Sequence, residues 1–146
     1  MYRLLLICLL ALSPFARAEV IDIDNAQLEK LVKSGVPLVD IRLQAEWEET
    51  GIVAGSRLLT FFDEKGRYDA AGWLEKLQSI AKANEPLIVI CRSGNRTKPV
   101  SQFLSQQAGY ATVYNVKHGI KGWIGAGGPM TPATQAVASC KAEKTC

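Results

Sequence analysis

One cysteine and two arginines within six consecutive residues form the segment with the clearest chemical potential. It reads Cys91-Arg92-Ser93-Gly94-Asn95-Arg96. It follows an apolar run at residues 86–90 and precedes a helical pattern at residues 97–107, so it joins a buried strand to a helix. There, successive backbone N–H groups and the positive end of the helix dipole converge and stabilise a thiolate or a bound anion. The pattern predicts a nucleophile, Cys91, in an anion-binding loop.

The alternative is a structural cysteine in front of an ordinary turn. Lone cysteines are often inert and surrounded by apolar groups. The charges of Arg92 and Arg96, the small turn residues and the strand-end position together favour the nucleophile.

Strand and helix patterns alternate on both sides of this loop. Strands are predicted at residues 20–23, 37–41, 56–60, 87–90 and 112–116. Helices are predicted from the cap Asp24 to Gly35, at residues 45–49, from the cap Asp69 to Ile80, at residues 97–107 and at residues 120–124. The alternation predicts an α/β fold with a mostly parallel central sheet and helices on both faces, in three layers. Ligands of such sheets bind at the carboxyl ends of the strands, where Cys91 lies and where Asp40 and Arg42 end another strand.

The first 18 residues have the features of a secretory signal peptide. A short basic start precedes an apolar run at residues 4–12, and Ala16-Arg17-Ala18 is a cleavage pattern. The run is too short for a membrane anchor, and the residues before Cys8 do not fit a lipoprotein. We therefore expect export to the periplasm and no stable membrane insertion after cleavage. Residues 19–129 are expected to form one domain, followed by a flexible tail at residues 130–146.

Three cysteines remain after that cleavage: Cys91, Cys140 and Cys146. An odd number in an exported protein suggests one free thiol. Cys140 either pairs with Cys146, which leaves Cys91 free, or a tail cysteine resolves an oxidised Cys91. The tail cysteines lack the neighbouring ligands of a metal site, so no metal is expected.

Charge argues against a nucleic-acid partner. The chain has 17 basic and 14 acidic residues, and two of the basic ones, Arg3 and Arg17, lie in the predicted leader. No dense basic patch with interleaved aromatic residues is present.

Three stretches, in order, resemble single-domain rhodaneses, the thiosulfate sulfurtransferases. The first runs from residue 38 to residue 42, through Glu46-Trp47, to residue 56. The second is the loop at residues 91–96. The third runs from Gly109-Tyr110 through Gly119 and Trp123 to Pro129. The resemblance covers about residues 23–129 and implies the rhodanese-like fold.

The resemblance also implies a mechanism and roles for individual residues. Cys91 would attack the outer sulfur of thiosulfate and carry a persulfide, which a thiol, a periplasmic thiol protein or, in an assay, cyanide would accept. Asp40 and Arg42 resemble a structural ion pair, and no cofactor is expected. The groups expected to bind the anionic donor are Arg92, Ser93, Gly94, Asn95, Arg96 and Thr97.

Three other functions stay open at this point. Cys91 and the tail cysteines could form a thiol-redox or sulfur-relay protein, or the loop could bind an anion without catalysis. Phosphate-ester hydrolysis is disfavoured because only four residues separate Cys91 from Arg96, a shorter loop than in cysteine-dependent phosphatases. The single histidine, His118, is expected to be structural or exposed.

Overall fold

The computed structural model of the protein describes residues 17–146. Most of the predicted signal peptide therefore lies outside the described residues. The elements, in chain order, are β1 (Glu19–Ile23), α1 (Asn25–Lys33), β2 (Leu38–Asp40), α2 (Gln44–Thr50), β3 (Arg57–Leu58), α3 (Ala70–Leu77), β4 (Leu87–Ile90), α4 (Thr97–Gln106), β5 (Thr112–Val116), α5 (Gly119–Gly125) and α6 (Thr134–Glu143).

The strands form one five-stranded parallel sheet in the order β1-β5-β4-β2-β3. Strand β4 is central and pairs with β5 on one side and with β2 on the other. Its last residue, Ile90, lies beside Asp40 of β2, so the chain leaves β4 next to the end of β2. This placement brings the residues after both strands to the same edge of the sheet.

Both faces of the sheet are covered, which confirms the predicted three-layer architecture. Leu87 and Val89 of β4 pack in a cluster with residues of α3 and α4. Ile88 and Ile90 point to the opposite face and pack with residues of α1 and α5. All four side chains are fully buried, as expected for a central parallel strand.

Side-chain caps fix the starts of two helices. Asp24 accepts a hydrogen bond from the Gln27 N–H at 2.8 Å, and the Gln27 side chain accepts one from the Asp24 N–H at 3.0 Å. This is a capping box. Asp69 accepts from the Gly72 N–H at 3.1 Å. Both caps are as the sequence predicts.

Two predicted elements are shorter in the structure. The strand expected at residues 56–60 is only Arg57–Leu58, because β3 forms just two ladder pairs with β2. Helix α3 ends at Leu77 rather than near Ile80. Ile80 still packs against the core, from the turn that follows the helix.

The tail departs from the flexible segment that the sequence suggested. Residues Thr134–Glu143 form α6, and Val137 and Cys140 of this helix are buried. They form a third apolar cluster with Trp47, Ile52 and Leu58. The helix is ordered because it covers the apolar edge around β3, which the small and polar composition of the tail did not reveal.

Within residues 17–146, none of the helices combines the length and apolar character needed to cross a lipid bilayer.

Candidate active site

Cys91 follows directly after β4, and its side chain is 1% exposed. The Gly94 N–H donates to Cys91 Sγ at 3.2 Å. The Thr97 hydroxyl lies 3.6 Å from the same sulfur and 3.2 Å from the Gly94 carbonyl oxygen, to which it donates. Cys91 is the free cysteine among the described residues. Of the groups expected around this thiol, the structure places the Gly94 N–H and the Thr97 hydroxyl against the sulfur.

The first residues of α5 hold the loop in place through backbone hydrogen bonds. The Ile120 N–H donates to the Cys91 carbonyl and the Lys121 N–H donates to the Arg92 carbonyl, both at 2.9 Å. Two carbonyls that would repel an anion are thus occupied by hydrogen bonds to α5. The contact is very close at Gly119, where an added Cβ would lie 2.6 Å from the Arg92 oxygen. Gly94 approaches the Lys117 carbonyl in the same way and has φ +93°.

Arg96 is bound to a carboxylate of the same chain. Its two terminal nitrogens donate to the two carboxylate oxygens of Glu46 at 2.7 and 2.6 Å. Glu46 also accepts from the Leu43 N–H at 3.0 Å, at the start of α2. This bidentate pair fastens the end of the loop to α2. The sequence assigned Arg96 to substrate binding, and the structure gives its guanidinium a partner within the protein.

Charge and hydrogen bonding keep both groups of this pair ionised. Burial acts to raise the pKa of Glu46, but the hydrogen bonds from Arg96 and Leu43, with the charges of Arg96 and Arg42, lower that pKa overall. The hydrogen bond to Glu46 is the main reason why the pKa of Arg96 lies above its ordinary value. The negative charge that Cys91 takes on as a thiolate adds to that rise.

The pair Asp40 and Arg42 is present and fully buried beside the end of β4. Arg42 donates to both Asp40 oxygens at 2.8 to 3.1 Å. It also donates to the Thr50 hydroxyl at 2.8 Å and to the Gly51 carbonyl at 2.9 Å. Since Thr50 and Gly51 end α2, the pair ties that helix to the sheet.

The other predicted site residues divide into two groups. Arg92, Ser93 and Asn95 lie in the loop and are exposed. Cys140 and Cys146 are joined in a disulfide at the end of α6, where Cys140 belongs to the apolar cluster around Trp47. His118 is exposed and precedes α5.

Among residues 17–146, no group of three or more histidine, cysteine or carboxylate side chains is arranged to hold a metal ion.

Comparison with known proteins agrees with this geometry. The family model described as a rhodanese-like domain matches residues 24–126, most of the chain. The chain belongs to the rhodanese family. Thiosulfate sulfurtransferase 18 of Arabidopsis thaliana is 30% identical over 112 residues, which cover 73% of this chain and 79% of that protein.

Solved structures of low sequence identity to this chain share its fold. A rhodanese-related protein from Thermoplasma volcanium has a TM-score of 0.57 at 28% identity, over 76% of this chain and 97% of that one. The polysulfide-sulfur transferase homodimer of Wolinella succinogenes has a TM-score of 0.59 at 19% identity, over 80% and 81%. At 19% identity the likeness shows the fold alone.

Sequence reasoning missed two parts of this rhodanese site. Glu46 was noted only as part of the resemblance, because nothing in one sequence links it to Arg96 across 50 positions. The backbone clamp, by which the Ile120 and Lys121 N–H groups donate to carbonyls of the loop, was missed because it does not depend on side chains. A side chain at position 119 would collide with the loop backbone, so Gly119 was the one sign of the clamp in the sequence.

Proposed function

We propose that this rhodanese domain is a sulfurtransferase that takes the outer sulfur of thiosulfate onto Cys91 and passes it to a thiophilic acceptor. The observation that carries the proposal is the environment of Cys91 Sγ. The Gly94 N–H donates to that sulfur at 3.2 Å. The Thr97 hydroxyl, 3.6 Å away, can turn its single proton from the Gly94 carbonyl to the sulfur when the thiolate forms.

The first half-reaction is a displacement at sulfur. The Cys91 thiolate attacks the outer sulfur of thiosulfate, the bond between the two thiosulfate sulfurs breaks, and sulfite leaves with the electron pair. The product is a persulfide on Cys91, whose terminal sulfur carries the negative charge. No external oxidant or reductant is needed.

The second half-reaction restores the thiolate. A nucleophilic acceptor attacks the terminal sulfur of the persulfide, and Cys91 leaves as the thiolate. Cyanide gives thiocyanate in this step, and a thiol gives a new persulfide. Covalent catalysis of this type has ping-pong kinetics.

The tail disulfide favours Cys91 as the working thiol over a relay through the tail. Cys140 and Cys146 are already bonded to each other, and Cys140, on the buried side of α6, is 6% exposed. A relay that uses these sulfurs would first have to open the disulfide. Anion binding without catalysis is the remaining alternative, which a turnover assay separates from transfer.

We also propose that the protein works in the periplasm, with a small thiol or a periplasmic thiol protein as acceptor. The disulfide supports this proposal, because structural disulfides persist mainly in oxidising compartments. Fractionation of expressing cells, with N-terminal sequencing of the product, tests it. A cytoplasmic protein that begins at Met1 would contradict it.

Steady-state formation of thiocyanate from thiosulfate and cyanide tests the activity, with Cys91→Ser as the matched variant. We expect turnover in the wild type, with parallel lines in a double-reciprocal analysis at several cyanide concentrations, and no turnover above background in the variant. Equal rates in both proteins, or intersecting lines, would contradict the proposed mechanism.

A further inference from the structure

Two of the arginines near Cys91 are each paired with a carboxylate of the protein. Arg96 forms its bidentate pair with Glu46, and Arg42 forms its pair with Asp40. The charge of each guanidinium is therefore balanced within the protein. A cation that recognises the donor must therefore come from elsewhere around the loop.

A cleft of about 330 Å³ beside the loop contains two such cations. It lies between α2 and α5 and is lined by Arg92 and Lys121, among others. Both side chains are exposed. Within residues 17–146 neither forms a salt bridge. Their positions are linked, because the Lys121 N–H donates to the Arg92 carbonyl at 2.9 Å.

The same cleft contains carboxylates, which set its net charge. Glu46 is neutralised by Arg96. Glu49 is exposed on α2 and forms no salt bridge within the described residues. The charges left to face an incoming anion are those of Arg92, Lys121 and Glu49, and their sum is positive.

We propose that Lys121 is a specificity-determining residue that, together with Arg92, selects dianionic sulfur donors over monoanionic ones. The inference rests on the proposed function and names the donor class of that site. The attraction between the cleft and a donor scales with the donor's charge, so a dianion such as thiosulfate gains more from Lys121 than a monoanion does. The negative charge of Glu49 repels the donor. Removing that charge should therefore strengthen the preference for dianions.

The test compares two donors that react by the same displacement. Thiosulfate is a dianion and releases sulfite, whereas methanethiosulfonate is a monoanion and releases methanesulfinate. For each, kcat/KM for loading of Cys91 is measured at low ionic strength in the wild type, Lys121→Gln, Lys121→Arg and Glu49→Gln. Lys76→Gln is the matched control, because Lys76 is an exposed lysine on α3, which packs on the other face of the sheet.

We expect Lys121→Gln to lower kcat/KM for thiosulfate by roughly three- to tenfold and for methanethiosulfonate by about twofold, mainly through KM. Lys121→Arg should restore the preference, and Glu49→Gln should increase it. Lys76→Gln should leave the ratio of the two donors unchanged. Because the charges are exposed, added salt should reduce the difference between variants.

An unchanged donor ratio in Lys121→Gln, or an equal change in Lys76→Gln, would overturn this inference while leaving the sulfurtransferase intact. Failure of wild-type Cys91 to take sulfur from either donor would overturn the proposed function, and the inference with it. Matching thermal unfolding curves of the variants would show that the comparison concerns binding and not folding.

Discussion

Arg96 of the loop at residues 91–96 and Glu46 of α2 form a bidentate pair with N–O distances of 2.7 and 2.6 Å. Both side chains are less than a third exposed, so solvent screens the pair only in part. The pair joins the end of the loop to the helix that the buried Asp40–Arg42 pair fixes to the sheet. It therefore fastens the end of the loop to α2.

Glu46→Gln should destabilise the protein and slow the loading of Cys91. The change leaves a partly buried Arg96 without its counter-charge, which costs about 1–3 kcal/mol in the free energy of unfolding. Urea denaturation measures that loss. Glu48→Gln is the control, since Glu48 is an exposed residue of the same helix. Equal stabilities of the two variants would show that the pair contributes nothing.

The contribution of Glu46 should depend on pH in one direction. Because folding lowers its pKa from an ordinary value of 4.5, the stability that it contributes is complete above that value and is lost as pH falls through the lower folded pKa. The difference in unfolding free energy between wild type and Glu46→Gln should thus be constant near neutrality and shrink in acid. A difference that grows on acidification would contradict the assigned direction of the shift.

The Thr97 hydroxyl should contribute to the reactivity of Cys91. It lies 3.6 Å from Sγ, and Thr97 is fully buried, so its loss is not compensated by water. Thr97→Val should slow alkylation of Cys91 by iodoacetamide and its loading by thiosulfate by about tenfold, a typical loss for one hydrogen bond to a charged group. Thr97→Ser keeps the hydroxyl and should stay within about threefold of wild type. Equal losses in both variants would assign the effect to packing.

Gly119→Ala should disrupt the loop, whereas Gly125→Ala in the same helix should not. Gly119 has φ +57°, and a Cβ there would collide with the backbone of Cys91 and Arg92. We expect a loss of about 1–3 kcal/mol in stability and a larger loss of sulfur transfer. At Gly125 nothing lies within 4 Å of an added Cβ, so alanine should be neutral or stabilise by about 0.5–1 kcal/mol. A fully active Gly119→Ala enzyme would show that the clamp is dispensable.

Cys146→Ser should weaken the fold and leave sulfur transfer intact. The disulfide closes a loop between positions six residues apart, and a loop of that size stabilises a protein by about 2 kcal/mol in the chain-entropy model. Thermal unfolding measures the loss, and thiocyanate formation well below the transition measures activity. A changed turnover number, measured at a temperature where the variant is still folded, would favour the relay through the tail cysteines.

The sequence predicted the sheet, the helices on both of its faces and the position of Cys91 at a strand end, because those features depend on local patterns. The continuous apolar run Leu87–Ile90 and the caps Asp24 and Asp69 are recognisable without tertiary information. Resemblance added the Asp40–Arg42 pair, which is present in the structure.

The parts that the sequence did not reveal depend on distant residues. The partner of Arg96 lies 50 positions away, and α6 is ordered only because Trp47 and Leu58 present an apolar surface to it. The isolated tail has too little apolar content to predict that contact. The cleft that contains Lys121 exists only after α2 and α5 are placed on either side of the loop.

The most direct test of the central claim is the intact mass of the folded protein after treatment with thiosulfate labelled with a heavy isotope in its outer sulfur. Wild type should gain one labelled sulfur atom, located on Cys91 by peptide mapping and removed by cyanide as labelled thiocyanate, and Cys91→Ser should gain none. A wild-type protein that gains no labelled sulfur while Cys91 remains a free thiol, or a label found on another residue, would contradict the persulfide mechanism.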